Sequence, residues 1–266
     1  MDARATNDYW GRAGLDRAIV DALQAAGKDL AALTIDDLAP ADQFHHGGKP
    51  ATDRLARIAG LRAGFRVLDV GGGLGGPART LAAEHGCSVT VIDLTESYVN
   101  AGRALTALVD LEDQVAHRIG NALDLPADDA PWDVVWTQNS GMNIADKPRL
   151  YAGFARVLRP GGVLALQEPM AGPGGPPIFP LMWARNASAS FLRSPEEMRA
   201  IVEAAGFRLR VWDELTDETG GIGAPPPHGI QRIIMGDALE AIMEAAERNR
   251  VEGRIVSIQA VFERAS

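Results

Sequence analysis

The sequence of 266 residues predicts an α/β fold: a doubly wound seven-stranded sheet with one antiparallel edge strand. Three observations lead there. From Arg66 onward, short apolar runs of strand length alternate with stretches of helical periodicity, the pattern of right-handed βαβ units. A glycine-rich turn joins the first of those strands to the first of those helices. The last strand pattern comes late, behind a long amphipathic helix, and suits addition to the sheet in antiparallel sense.

Taken in order, Gly11 to Ala39 reads as short helices, with Leu15, Ala18, Ile19, Ala22 and Leu23 at helical spacing. Gln43 to Pro50 reads as a loop, and helical spacing resumes over Ala51 to Ala59. Strands are predicted at 66–70, 88–93, 115–119, 132–136, 163–167, 208–214 and 255–262. Helices are predicted at 77–85, 96–109, 147–158, 195–205 and 237–250. Two Pro/Gly-rich stretches, Ala171 to Pro177 and Gly220 to Gly229, interrupt the regular pattern. The organisation expected is a helical cap over 1–60 and a main domain over 61–266. Lid segments near 170–193 and 216–252 would cover the strand C-termini, where ligands bind in open α/β sheets.

Composition narrows the function. A net charge of −9 and the lack of any dense Lys/Arg run argue against a nucleic-acid partner, whose phosphates need a basic face. The longest apolar runs, such as Val163 to Leu166, are short enough for buried strands, so no membrane span is expected. Met1 to Trp10 lacks the apolar core of a signal peptide. The single cysteine, Cys87, excludes an intramolecular disulfide and a multi-cysteine metal site, and fits a reducing, cytoplasmic setting. The adjacent His45 and His46, without nearby carboxylates, are poor metal ligands, so no metal is expected.

The strongest local feature is Val67-Leu-Asp-Val-Gly-Gly-Gly-Leu-Gly-Gly-Pro77. Here a strand runs into five glycines and then a helix, with Pro77 placed in its first turn. Gly71, Gly73 and Gly76 match G-x-G-x-x-G, and Asp93 closes the next strand, where a carboxylate accepts from ribose hydroxyls. An adenosine cofactor follows from that context. NAD fits the glycines and the acid. Asp69, two residues before the first glycine, suits a cationic amino group and opposes a pyrophosphate, which favours S-adenosylmethionine (SAM).

Further segments carry a resemblance. They are Phe44-His-His-Gly-Gly48, the glycine loop through Arg79, Val91-Ile-Asp-Leu94, Gly120-Asn-Ala-Leu-Asp-Leu-Pro126, Trp136-Thr-Gln-Asn139, Met142 to Lys147 and Arg156-Val-Leu-Arg-Pro-Gly-Gly162. In order and spacing they resemble the class I SAM-dependent methyltransferases, which have a Rossmann-like fold. Within these they are most similar to the branch with the ubiquinone/menaquinone-type and the glycine, sarcosine and dimethylglycine methyltransferases. The resemblance implies that Gly71, Gly72 and Gly73 contact the methionine moiety with Asp69 nearby. It implies that Asp93 holds the ribose, Leu94 packs on the adenine, and Asn121 and Ala122 frame the adenine edge. Gln138 would lie beside the sulfonium, and the loop beginning at Phe44 would fold over the cofactor. The activity implied is methyl transfer to N, O or C of a small-molecule acceptor. A SAM-binding enzyme of cyclase type would carry the same cofactor site, and an NAD-dependent oxidoreductase is the more distant alternative.

Methyl transfer is an in-line displacement in which the cofactor supplies the leaving group, so a base is needed only for a protonated acceptor. Glu168, at the expected end of the fifth strand, and His228, in a lid loop, are the candidate catalytic groups. His45, Trp183 and Arg185 are the candidate acceptor contacts, giving an aromatic wall with a cation for a carboxylate or phosphate. The long helix 237–250 is expected to serve as lid or dimer contact, with homodimerisation left open.

Overall fold

A computed structural model describes residues 10–126, 131–215 and 230–265. Its centre is one seven-stranded sheet in the order β3-β2-β1-β4-β5-β7-β6. The strands are β1 Arg66–Val70, β2 Ser88–Asp93, β3 Val115–Ile119, β4 Trp132–Gln138, β5 Leu158–Ala171, β6 Phe207–Glu214 and β7 Ile255–Arg264. Strands β1 to β5 pair in parallel, while β7 runs antiparallel to both β5 and β6. The antiparallel edge expected from sequence is therefore the β7–β6 pair, with the late strand slotted inside and β6 outermost.

The helices are α1 Leu15–Ala25, α2 Ile35–Asp42, α3 Gly48–Ala59, α4 Gly76–His85, α5 Glu96–Ala107, α6 Lys147–Val157, α7 Pro195–Ala204, α8 Ile230–Met235 and α9 Leu239–Val251. They cover both faces of the sheet because the inner strands are apolar on both sides. Leu68 and Val70 of β1 join Leu150, Tyr151 and Phe154 of α6 in one buried cluster. Val67, one residue out of phase, joins Leu55 of α3 and Leu81 of α4 in the other. Trp132 and Trp136 are buried in these layers, as core residues should be.

Two boundaries differ from the sequence expectation in ways that matter. Helix α3 begins at Gly48, inside the expected loop, because Gly47 takes the left-handed cap conformation. Pro50 then falls in the first turn, where its missing N–H costs nothing. Strand β5 continues to Ala171 instead of stopping at Gln167, because β7 pairs with it residue by residue from Val163↔Glu263 to Ala171↔Ile255. Glu168 is therefore an interior strand residue.

Helices α1 and α2 lie against α5 and the glycine turn. Leu15, Ile19 and Leu23 pack with Leu74, Tyr98 and Leu105. The contact is fixed by a fully buried ion pair, Arg79 to Asp42 at 2.7 Å. Arg79 also donates to Leu74 O at 2.8 Å and Thr106 Oγ1 at 2.9 Å, so α2, the glycine loop and α5 meet on one guanidinium. Among the described residues, no helix is long and apolar enough to cross a membrane.

Candidate cofactor and acceptor site

The glycines after β1 are shaped by what surrounds them. Gly71 has φ 74°, donates to Ile92 O at 2.7 Å, and leaves no room for a Cβ, which would overlap Ser140. A Cβ on Gly72 would collide with the Asp69 carboxylate, and lies 2.8 Å from Val91 Cγ1. The bare backbone therefore fills the space between β1 and the turn after β4, and presents its surface to a ligand.

Two carboxylates flank this loop. Asp93 Oδ2 accepts from Gly73 N at 3.0 Å and Oδ1 from Thr95 N at 2.8 Å, which holds the side chain at the loop. Each oxygen keeps a further lone pair for a ribose hydroxyl. Burial, which outweighs those donors, raises its pKa. Asp69 is 1% exposed and its Oδ2 has no hydrogen-bond partner. Burial first, and the charge of Asp93 second, push its pKa up to about 8. An unpartnered carboxylate beside a glycine cradle fits a ligand with a cationic amino group, and opposes a pyrophosphate.

The loop opens onto a cavity of about 640 Å³ that runs across the C-terminal end of the sheet. Phe44, Asp69, Gly71, Gly72, Gly73, Asp93, Leu94, Asn121, Ala122 and Gln138 all line it, so the expected cofactor residues converge. Details differ from expectation at two of them. Asn121 Oδ1 accepts from Leu123 N at 2.9 Å, so it first shapes its own turn. Gln138 is tied into a buried network. Its Oε1 accepts from Trp136 Nε1 at 2.9 Å and Thr52 Oγ1 at 3.2 Å, and its amide donates to Gln167 Oε1 at 3.1 Å. His45 lines the cavity beside that network, 2.9 Å from Gln43 Oε1. Burial lowers its pKa to about 4, so the ring is neutral near pH 7.

The groups expected to act on an acceptor separate. Glu168 is 2% exposed and does not line the cavity. Its carboxylate accepts from Ser140 N (3.3 Å), Gly141 N (2.8 Å) and Met142 N (3.3 Å), tying down the turn after β4. Lys147 braces the same turn, donating to Gly141 O at 2.5 Å and Ile144 O at 2.7 Å. Trp183 does line the cavity, with its ring N–H donated to Ser190 Oγ at 3.1 Å. Arg185 is exposed and lies outside the lining, because Leu181, Trp183 and Ala184 turn inward around the bridge Leu181↔Ala184 and leave it facing out. His228 falls outside the described residues. Among those described, the grouping with metal-ligand character is Asp53, Glu84 and His85. The Lys49 ammonium sits 3.3 Å from Asp53 and 2.7 Å from Glu84, and none of the four lines the cavity.

Sequence reasoning missed the turn after β4. Asn139 adopts φ 52°, a left-handed conformation that Asn tolerates better than most residues, and its Oδ1 is buried without a partner. It lines the cavity, as does Ser257 on β7, whose hydroxyl is also without a partner. Asn at the end of a strand before a turn was the available signal. Helix α9, inside the stretch 216–252 expected as a lid, supplies Met243, Ala246, Glu247 and Arg250 to the wall, none of them singled out from the sequence.

Comparison with known proteins agrees with this geometry. Residues 67–162, from β1 to the turn before the apolar part of β5, match the family described as methyltransferase domain. The match covers about a third of the chain. SAM is the cofactor of that family, and the glycine loop, Asp69 and Asp93 are the groups here that fit it. The chain is 41% identical over 117 residues to 27-O-demethylrifamycin SV methyltransferase of Amycolatopsis mediterranei, covering 44% of this chain and 43% of that one. It is 34% identical over 132 residues to glycine/sarcosine/dimethylglycine N-methyltransferase of Actinopolyspora halophila, covering 50% and 23%. The chain thus spans less than half the length of these two relatives. Among solved structures, the [4+2]-cyclase SpnF superposes with a TM-score of 0.68 at 20% identity over 95% of both chains, a likeness of fold.

Proposed function

We propose that the protein transfers the methyl group of SAM to an N, O or C atom of a small-molecule acceptor. One observation carries the reading. The glycine cradle with its two carboxylates shares a single cavity with an apolar chamber over β5–β7, so cofactor and acceptor meet across one wall. SAM, when bound, supplies a methyl group on a cationic sulfur, already activated for displacement. The chain's own part is to hold the two partners. Asp93 fixes the ribose side, Asp69 the amino group, and Phe44 and Leu94 close on the adenosine. Ser140 and Met142 at the end of β4 set where the acceptor can approach. Positioning of this kind can lower the barrier by roughly 7–11 kcal/mol.

Glu168 acts in this reading as a positioning residue, because its oxygens are spent on the turn that carries Met142 into the cavity. His228 stands as the candidate proton acceptor for a protonated substrate. The segment that carries it joins β6, whose end gives Leu215 to the cavity, to α8, which gives Ile234. A cytoplasmic setting belongs to the same reading and rests on the single cysteine, Cys87, which is buried.

The test is calorimetric titration with SAM, S-adenosylhomocysteine and NAD, followed by an acceptor screen read as S-adenosylhomocysteine formed. Micromolar binding of both sulfur compounds and none of NAD is expected. Turnover of an acceptor with no S-adenosylhomocysteine formed would replace methyl transfer by a cyclase-type reaction. Binding of NAD alone would overturn the cofactor assignment.

A further inference from the structure

The half of the cavity over β5–β7 differs from most small-molecule sites in what it lacks. Its walls come from Leu181, Met182, Trp183, Leu215, Met243 and Val256, which are apolar throughout. Charge enters from Glu214 and Glu247. Among the described residues that line the cavity, the one Lys or Arg side chain is Arg250, and it is bonded to Glu247 twice, at 2.9 and 2.7 Å. Arg185, the cation expected for an anionic acceptor, is turned away.

Backbone offers no substitute. The N–H groups of Ser140, Gly141 and Met142 lie beside this half and would make a ready anion hole, but the Glu168 carboxylate already takes them. Two lining residues, Asn139 and Ser257, have polar side-chain atoms without partners, and both atoms, Asn139 Oδ1 and Ser257 Oγ, are buried, so neither gives an anion a donor. An acceptor carrying a carboxylate or phosphate would give up its hydration and meet Glu214 and Glu247, with no unpaired cation or open N–H cluster among the described lining residues to replace the water.

We infer that this half of the cavity takes an apolar acceptor that is neutral or cationic, and that it refuses anionic acceptors. This rests on the methyltransferase reading and narrows it. It separates the protein from a relative named for glycine, whose carboxylate needs a cation.

The experiment uses the full chain saturated with S-adenosylhomocysteine and four probes of eight carbons each: octanol, octylamine, octanoate and octyl phosphate. Octanol and octylamine are expected to bind at least ~10-fold more tightly than either anion. A Met243→Arg variant places a cation on the same wall, and should raise octanoate affinity by about 10-fold and weaken octylamine. Anions binding as well as octanol, no binding by any probe, or a Met243→Arg variant that folds and leaves all four affinities unchanged would each overturn the inference. Failure to bind S-adenosylhomocysteine would instead remove the cofactor reading, and the four probes can then be titrated into the free protein.

Discussion

Over β1–β3 the cavity is built on the glycine loop and two carboxylates, Asp69 and Asp93, which lie within twenty-four residues of each other in sequence, with Phe44 and Leu94 beside them. Over β5–β7 it is walled mainly by apolar side chains drawn from the segment after β5, the end of β6, helix α9 and the start of β7, with Glu214 and the Glu247–Arg250 pair among them. In the function proposed above, the first half holds the cofactor, a ligand with fixed charges, on short loops at the strand ends. The second half would hold the acceptor, and its distant segments can change their side chains without disturbing the sheet. The two halves therefore ought to respond differently to mutation, and that difference can be tested.

The largest effect is expected where the N-terminal helices clamp the cofactor half. Arg79→Met leaves the Asp42 carboxylate buried without its ion pair, and loss of one partner of such a pair costs about 3–5 kcal/mol. Urea denaturation should show that loss, and the double variant Asp42→Asn/Arg79→Met should recover part of it. Unchanged stability in Arg79→Met would mean that the clamp is not what orders the glycine loop. Next in size is Gly71→Val, which introduces a Cβ where Ser140 stands and a β-branched side chain at positive φ. SAM affinity should fall at least ~100-fold, about 2.7 kcal/mol. Met182→Ala, in the other half, should leave it within about threefold. Equal losses in the two variants would break the division between halves.

How much of this was legible follows the same line. The glycine loop, Asp69 and Asp93 could be read directly, because strand, turn and helix are consecutive and the chemistry is carried by backbone geometry. The helical spacing of Leu15, Ile19 and Leu23 likewise marked the N-terminal helices. Glu168 was misplaced for a non-local reason. Its strand looked finished at Gln167, and only pairing with β7, some ninety residues on, carries β5 past it. Arg185 was misread because alternation in an irregular lid does not say which side chains turn in; the bridge Leu181↔Ala184 decides that. The buried network of Thr52, Gln138, Gln167 and Gln259 had no sequence signal, since isolated amides read as surface residues until the fold brings them together.

Glu168 supplies the next test. In Glu168→Gln one acceptor oxygen becomes an NH2 facing backbone N–H groups, which should cost about 1–3 kcal/mol of stability. SAM affinity and the pH profile of turnover should keep their shape, with kcat lowered only as the turn after β4 loosens. A variant as stable as the parent, with kcat down ~1000-fold and a lost pH limb, would instead make Glu168 the base.

The smallest effect concerns Asp69. Its folded pKa of about 8 lies above the ordinary carboxyl value, so folding favours the protonated form. Taken alone, the stability it contributes is full below the unfolded-chain pKa of about 3.9 and is lost as pH rises through about 8. Binding a cationic amino group reverses the preference, because the pair requires the carboxylate. A proton must then leave Asp69 whenever the ligand binds below pH 8. SAM affinity should rise about fivefold from pH 7 to pH 8, about 1 kcal/mol, and level off above. Calorimetry in buffers of different ionisation enthalpy should count nearly one proton released at pH 7. Asp69→Asn should bind more weakly and flatten the profile. A parent profile already flat across this interval would show that Asp69 does not face the amino group, and that the cofactor half holds its ligand through Asp93 and the backbone alone.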